Sequence, residues 1–395
     1  MAARRKKSVP GPGAASPTPT PTRQLEIETK LELDPDAHLP SLTGRKRLAA
    51  VGISETVDPI AHHLDAVYYD TEPLDLLRSR ITLRRRTGGP DAGWHLKFPA
   101  VEGARTEIGL PLGDGDEVPA GIAALVLGAA RGRPLGPIAR VINERTVRHL
   151  LDAAGNVLIE VADDHVTGVS LTDDRTRRWR EVEAEIVKGT REQLAATVDV
   201  LLAGGARPAA SPSKLARAMD YRPPEPRRGK TAGDAVLAYV ARQRDRLITA
   251  DRAVREGSDT MEASTTCRRI ASVLTLFAPL FEGTTPPGLR DSLDGVVAVF
   301  DTGRDIRSAR QRLVEQLAEE PAPYRERART RLEQACERRS AAATVRARTH
   351  LDGTDYLTML RALDDLLATP PLAKRAQRSA ARELASLLAS GWRRL

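Results

Sequence analysis

Apolar and charged positions alternate along the first half of the chain and give way to helical spacing in the second. From Leu25 to Leu33 the sequence reads LEIETKLEL, with Glu26, Glu28, Lys30 and Glu32 on one face of an extended segment and Leu25, Ile27, Leu31 and Leu33 on the other. His63 to Tyr69 is β-branched and aromatic and leads into the helix-like LDLLRSR. Ile81 to Thr87 breaks at Gly88, Gly89 and Pro90 before GWHLKFP resumes. That break predicts a hairpin, with Arg84 and Arg86 sharing one face and His95 and Lys97 sharing one face of the return. Ala104 to Leu112 places Arg105 with Glu107, and a helix is expected around Ala120 to Ala130. VINERTVRHLL then contributes Arg145 and Arg148, VLIEVADDHV carries Glu160 and Asp164 on one face, and RWREVEAEIV carries Glu181, Glu183 and Glu185 opposite Val182, Ala184 and Ile186. A helix over Arg191 to Ala203 closes this half.

After the Pro-rich, charged stretch RPPEPRRGK at 222–230, read as a linker, the spacing becomes helical. Val236, Leu237, Val240, Leu247 and Val254 mark the first helix. Others are expected at about Asp259–Phe281, Pro287–Glu319, Pro321–Thr349, Asp355–Leu367 and Leu372–Arg394, with Gly and Pro at the breaks. Aromatics are only 3% of the 395 residues, so the core must be aliphatic and Ala-rich, which suits a helical bundle here.

Charge and termini refine this division. The basic, Pro-rich start at 1–22 lacks the apolar core of a secretory signal and reads as a disordered arm, with the fold beginning near Arg23. No apolar run is long enough for a membrane span. Two cysteines, Cys267 and Cys336, are too few for a disulfide framework and fit a reducing cytoplasm. A net charge of +8 suggests a polyanionic partner. Nucleic acid is disfavoured, because recognised motifs and aromatic stacking platforms are lacking. Arg304, Arg307 and Arg310 recur near one helix face, read either as a solvated face paired with acids or as an anion-binding surface.

The strands share one design: a face carrying both signs of charge, backed by an apolar face. A sheet closed on itself, charged faces inward and apolar faces under helices, explains that arrangement. Carboxylates at one end of such a lumen suit a hard divalent cation, Mg²⁺ or Mn²⁺. Arginine and lysine along the rest suit phosphate oxygens. Metal and cationic clamp together are the usual equipment of phosphoryl transfer.

These residues resemble a CYTH domain, the triphosphate tunnel metalloenzyme family, from about Gln24 to Tyr221. The motifs are the E-x-E-x-K of Glu26, Glu28 and Lys30, the L-R-R-R and W-x-L-K strands, the Glu160 to Asp164 strand, the closing E-V-E-A-E, and SPSKLA at Ser211 to Ala216. The resemblance implies an eight-stranded antiparallel tunnel that binds triphosphate or polyphosphate with divalent metal. It implies Glu26, Glu28, Asp164, Glu183 and Glu185 as metal-facing, with Glu160 and Glu181 as additions. Lys30, Arg84, Arg86, Lys97, Arg145 and Lys214 would face phosphate, and Glu107 would orient an arginine or a metal-bound water. Glu28, Lys30 and Glu183 are the residues expected to carry catalysis.

The second half resembles a CHAD domain, a helical module associated with polyphosphate binding, through Cys267 to Ile270 (CRRI), Arg304 to Arg307 (RDIR) and Tyr356 with Leu360. The likeness is partial. Met261 and Ser264 stand where that family carries a His and an Arg, and only a first helical half is expected at 231–395. The whole predicts an α+β chain: an arm at 1–22, a closed antiparallel barrel with surrounding helices at 23–221, a linker at 222–230 and an all-α bundle. The expected function is metal-dependent hydrolysis of inorganic triphosphate or a related triphosphorylated compound in the cytoplasm. The alternatives are polyphosphate binding without turnover, or an adenylyl-cyclase-like or thiamine-triphosphatase activity on the same fold.

Overall fold

A computed structural model describes residues 21–100, 102–224, 230–283 and 288–393. The predicted arm, apart from its last two residues, and most of the predicted linker lie outside them. The strands are β1 (Thr22–Glu26), β2 (Glu28–Glu32), β3 (Glu55–Thr56), β4 (Ile60–Asp70), β5 (Thr82–Thr87), β6 (Gly93–Lys97), β7 (Arg105–Leu110), β8 (Gly136–Leu151), β9 (Val157–Ser170), β10 (Thr176–Ile186) and β11 (Arg207–Pro208). Among them run α1 (Lys46–Ala49), α2 (Asp75–Arg78), α3 (Ala120–Val126), α4 (Arg191–Ala203) and α5 (Lys214–Ala218). The second half is helical: α6 (Ala232–Arg255), α7 (Met261–Leu276), α8 (Leu289–Leu317), α9 (Ala322–Asp352), α10 (Thr354–Ala368) and α11 (Ala380–Trp392).

The strands form one antiparallel sheet ordered β1-β7-β6-β5-β4-β8-β9-β10-β2-β11, with β3 against β8. This corrects two expectations. The pairing path does not return on itself, so the eight-stranded closed barrel is replaced by an eleven-stranded sheet with two ends. The single strand expected over Leu25 to Leu33 is two strands. β1 pairs with β7 and β2 with β10, at opposite ends of the path, with only Ile27 between them. The break explains why the apolar alternation fails at its start: Leu31 and Leu33 are buried, whereas Leu25, before the break, is 70% exposed.

Turn and cap chemistry fixes these elements locally. Gly88 turns the β5–β6 hairpin at φ +77°, where a Cβ would lie 2.0 Å from the His63 carbonyl oxygen, so only glycine fits. The Thr190 side chain accepts from the Gln193 N–H while the Gln193 side chain accepts from the Thr190 N–H, a reciprocal cap that starts α4 where the sequence placed it. Ser213 starts α5 by accepting from the Ala216 N–H.

Three apolar clusters position the site. The largest joins the outer faces of β5 and β6 (Leu83, Trp94, Leu96) to Val236, Val240 and Leu247 of α6, Ile270 of α7 and Leu360 of α10, so sheet and helices share one core. A second packs Leu194, Val200 and Leu201 of α4 on Leu31, Val161, Val182 and Ala184. The third lies on the other face of the sheet, the one that carries the charges. There Ala66, Tyr68, Ala139, Val141, Val166 and Trp179 meet Leu215, Ala216 and Ala218 of α5.

Candidate functional site

Period-two alternation places Glu28 and Lys30 of β2, Glu181, Glu183 and Glu185 of β10, Glu160 and Asp164 of β9 and Arg145 of β8 on one face. Register then decides their neighbours. Glu28 lies opposite Glu185, and Glu185 opposite Glu160, so three carboxylates form a row across β2, β10 and β9. Like charges in that position repel. Glu160 is relieved by His149 Nε2 at 3.1 Å and Glu28 by Lys30 Nζ at 2.8 Å, while Glu185 makes no ion pair within 4 Å among the described residues. Burial, reinforced by Glu28, Glu183 and Glu160, pushes Glu185 up to about 7 against the pull of Lys97.

The next group combines both signs. Arg145 grips Asp164 through Nε–Oδ1 and Nη2–Oδ2, both 2.7 Å, and reaches Glu183 Oε2 at 2.6 Å. Lys214, brought over the sheet by α5, lies 2.8 Å from Glu183 Oε1, 2.9 Å from Glu181 Oε1 and 2.9 Å from Asp164 Oδ2. Lys30 also bonds Glu183. Burial opposes ionisation of Glu183, but Lys214, Lys30 and Arg145 outweigh it and hold the carboxyl well below its ordinary range. Asp164 is likewise lowered, burial being outweighed by Lys214 and Arg145.

At the other end of the strand path, Lys97 Nζ lies 2.7 Å from Glu26 Oε2 and 3.5 Å from Glu107 Oε2, with His95 Nδ1 2.6 Å from Glu107 Oε1. Burial and a hydrogen bond to Glu107 raise Glu26 to about 8. Glu107 is pushed the opposite way, since its bonds to His95 and Glu26 and the charge of Lys97 outweigh burial. Glu26 therefore sits with Lys97, while Asp164 and Glu183 sit with Arg145 and Lys214. Arg105 Nη1, 3.8 Å from Glu28 Oε1, links the two ends.

A small cavity opens beside this cluster, lined by Leu64, Ala66, Tyr68, Arg84, Arg86, Val141, Asn143, Arg145 and Lys214. Nε of Arg84 and Nε of Arg86 are buried there without a hydrogen-bond partner. Burial and repulsion from Arg84 push Arg86 down to about 10 despite its pair with Asp91, whereas Tyr68 and Glu107 outweigh burial and hold Arg84 above its ordinary value. Tyr68 and Asn143 were not singled out from the sequence. The signal was present for Asn143, which lies two residues before Arg145 and so on its face of β8.

Among the described residues no three carboxylate, imidazole or thiolate groups converge closely enough to hold a metal ion as they stand. The oxygen-only row of Glu28, Glu185 and Glu160, with Glu185 lacking an ion pair, nonetheless has the donor chemistry of a hard divalent cation. In the helical half, Met261 is exposed and Ser264 is buried, bonded to Asp301, which also pairs with Arg268 and Arg304.

Comparison with known proteins agrees with this division. A CYTH domain model matches residues 24–216 and a CHAD domain model residues 238–395. Two uncharacterized proteins of Mycobacterium tuberculosis, from strains CDC 1551 and H37Rv, are 36% identical over 363 residues, which cover 86% of this chain and 69% of theirs. Among solved structures, a Bacillus halodurans protein gives a TM-score of 0.34 at 14% identity, over 49% of this chain and 97% of its own. A Hippeastrum protein described with a dominant triphosphatase activity gives 0.30 at 19% identity, over 49% and 95%. Likeness at that level adds nothing to an assignment that the domain matches and the mycobacterial relatives carry. The chain belongs to the CYTH family, its CYTH domain followed by a CHAD domain.

Proposed function

We propose that this protein hydrolyses inorganic triphosphate, or a related triphosphorylated compound, with Mg²⁺ or Mn²⁺, on the charged face of its sheet. The observation that carries the reading is the cavity where Arg84 and Arg86 keep buried, unpartnered Nε donors beside Arg145 and Lys214. Buried donors without acceptors are costly, and an oxyanion relieves that cost. The reading also treats the sheet as wrapping into a tunnel. Support comes from β1 and β2, which pair at opposite ends of the strand path with one residue between them.

Arg84, Arg86, Arg145, Lys214, Lys30 and Lys97 bind phosphate oxygens in this reading. Glu28, Glu185 and Glu160 would hold the cation, with Glu26, Asp164, Glu183 and Glu181 as the remaining acids of the site. The bound ion would supply neutralisation of phosphate oxygens and a lowered pKa for the attacking water. The ion pairs have a chemical consequence of their own. As phosphate oxygens take over Arg145 and Lys214, Glu183 loses two of its three counter-charges and its proton affinity rises, so substrate binding turns a poor base into a usable one. Lys30, between Glu28 and Glu183, keeps both carboxylates oriented. No helix among the described residues is long and apolar enough to cross a membrane. Cys267 is buried and unpaired and Cys336 is also a free thiol, which supports a cytoplasmic setting.

The test is phosphate release from tripolyphosphate, ATP, thiamine triphosphate and long-chain polyphosphate, with Mg²⁺, Mn²⁺ or EDTA, for the wild type and Glu28→Gln. Metal-dependent release from tripolyphosphate that the substitution abolishes is the expected result. No turnover on any substrate, with polyphosphate still bound, would replace this reading with a binding protein.

A further inference from the structure

Asn143 is only 4% exposed, and its Oδ1 is buried without a hydrogen-bond partner. An amide acceptor left bare in a protein interior costs on the order of 1–3 kcal/mol, so a group that satisfies it is expected. Its neighbours on adjacent strands, Leu64 of β4 and Val166 of β9, are apolar. Asn143 lines the same cavity as Arg84, Arg86, Arg145 and Lys214, and it stands where that cationic group meets the apolar cluster of Ala66, Tyr68, Val141 and Leu215.

The chemistry of this position is selective. Arginine and lysine only donate, so they accept any phosphoryl oxygen that bears negative charge. A phosphoryl hydroxyl needs an acceptor instead. The nearby Asp164 and Glu183 are carboxylates bonded to Arg145 and Lys214 in the absence of ligand, and a carboxylate freed from them would repel the anion's charged oxygens. A neutral amide oxygen accepts without that repulsion. Only the terminal phosphoryl group of a linear oligophosphate has a second, weakly acidic hydroxyl that can keep its proton near neutral pH. The single strongly acidic hydroxyl of each internal or cyclic phosphate is ionised there. The cavity's free volume of about 20 Å³ admits an oxygen-sized group rather than a nucleoside or thiazolium ring.

The geometry points to Asn143 as the specificity-determining residue that accepts a hydrogen bond from the terminal phosphoryl hydroxyl of a linear oligophosphate, inserted end-on with its free end against the apolar cluster. This rests on the triphosphate reading above and adds to it a requirement for an unesterified chain end at this position.

The experiment compares binding of tripolyphosphate with that of its cyclic counterpart, trimetaphosphate, by calorimetry without metal, in the wild-type chain, Asn143→Leu and Asn143→Ala. The wild type is expected to prefer the linear anion. Both variants are expected to lose about 10- to 100-fold of that linear-over-cyclic ratio while still binding trimetaphosphate about as the wild type does. A purely structural role would weaken both ligands together and leave the ratio unchanged, and that result overturns the inference. Asn143→Ala keeps the test available if the larger leucine prevents folding, which thermal unfolding would show. Failure of the wild type to bind either anion overturns the parent reading and this one with it. Wild-type binding of tripolyphosphate with an unchanged ratio in the variants removes the Asn143 assignment alone.

Discussion

The charged face of the sheet and the surface of the helical half are both rich in arginine, yet they use it in opposite ways. In the sheet, Arg86 is only 5% exposed and Arg145 17%, and acids and cations crowd together behind strands, with two Nε donors unanswered. On the helices, Arg304 reaches Asp301 at 3.0 Å, Arg307 reaches Asp259 at 3.9 Å and Arg310 reaches Glu333 at 3.8 Å, with about half of each arginine side chain in water. Charge separated by solvent is cheap and weakly coupled. Charge crowded under strands is costly unless a ligand or a function compensates it. Residue type therefore says little, and the dielectric around it says a great deal.

The sharpest way to break that comparison is to remove one acid from each region. Glu183→Gln is expected to lower tripolyphosphate turnover by at least about 100-fold, because the group it removes is the shared partner of Lys30, Arg145 and Lys214. Glu333→Gln, on the helical surface, should leave turnover within about twofold, in keeping with the small effect of exposed substitutions. Equal losses from the two, measured as kcat/KM with folding checked by circular dichroism, would show that burial does not separate them.

The junction between the regions supplies the next largest effect. Asp364 of α10 receives Arg131 Nε at 2.7 Å and also pairs with Arg244, while Arg361 Nη1 donates to the Arg131 carbonyl at 2.9 Å. Arg131 is almost fully buried, so Asp364→Ala leaves a buried guanidinium without its carboxylate. The expected cost is about 3 kcal/mol in chemical denaturation. Because Trp94, Leu96 and Leu360 belong to one apolar core, unfolding should remain a single transition. Two transitions would mean that sheet and helices are separable bodies.

A smaller effect concerns a buried carboxyl outside the candidate site. Asp70 accepts hydrogen bonds from the backbone N–H groups of Thr71 at 2.7 Å and of Leu76 and Leu77 at 2.9 Å, fixing the start of α2. Burial outweighs those bonds and raises it from 3.8 to about 6. A raised carboxyl pKa means that the folded state holds the proton more tightly than the unfolded chain. The associated stability is then complete below pH 3.8 and is lost as pH rises through about 6. The stability gap between wild type and Asp70→Asn should therefore narrow by roughly 2 kcal/mol from pH 4 to pH 7. A gap that widens over that interval would mean that the three N–H bonds, not burial, set the balance.

Much of this was legible in the sequence. Alternation from His63 to Ile186 located the main strands, because each buries one face and wets or charges the other. The helix read over Arg191 to Ala203 is α4 with the same bounds, and the structure adds the Thr190–Gln193 capping box that starts it. The closed barrel was read from the charge pattern, but periodicity says which face a residue occupies and nothing about how strands at the two ends of a sheet meet. The turn at Ile27, which sends β1 to β7 and β2 to β10, is a tertiary event. The pairing of Asp164 with Arg145 and the row of Glu28, Glu185 and Glu160 depend on register, which a period of two leaves undetermined. Asn143 escaped notice because its importance lies in lacking a partner.

The smallest expected effect is the one that tests the helical surface most directly. Arg307 and Arg310 reach their acids only at 3.9 and 3.8 Å, with half of each side chain exposed. Pairs of that kind contribute between zero and about 1 kcal/mol, and alanine recovers part of this through its better helix propensity. Arg307→Ala with Arg310→Ala is expected to change unfolding free energy by less than about 0.5 kcal/mol and tripolyphosphate turnover by less than about twofold. The informative ligand is long-chain polyphosphate. A salt-sensitive loss of polymer binding in the double variant, with tripolyphosphate turnover unchanged, would show that this surface handles anions in its own right, by weak and additive contacts rather than by a buried cluster. Retained polymer binding would leave these arginines as a solvated face and confine anion recognition to the sheet.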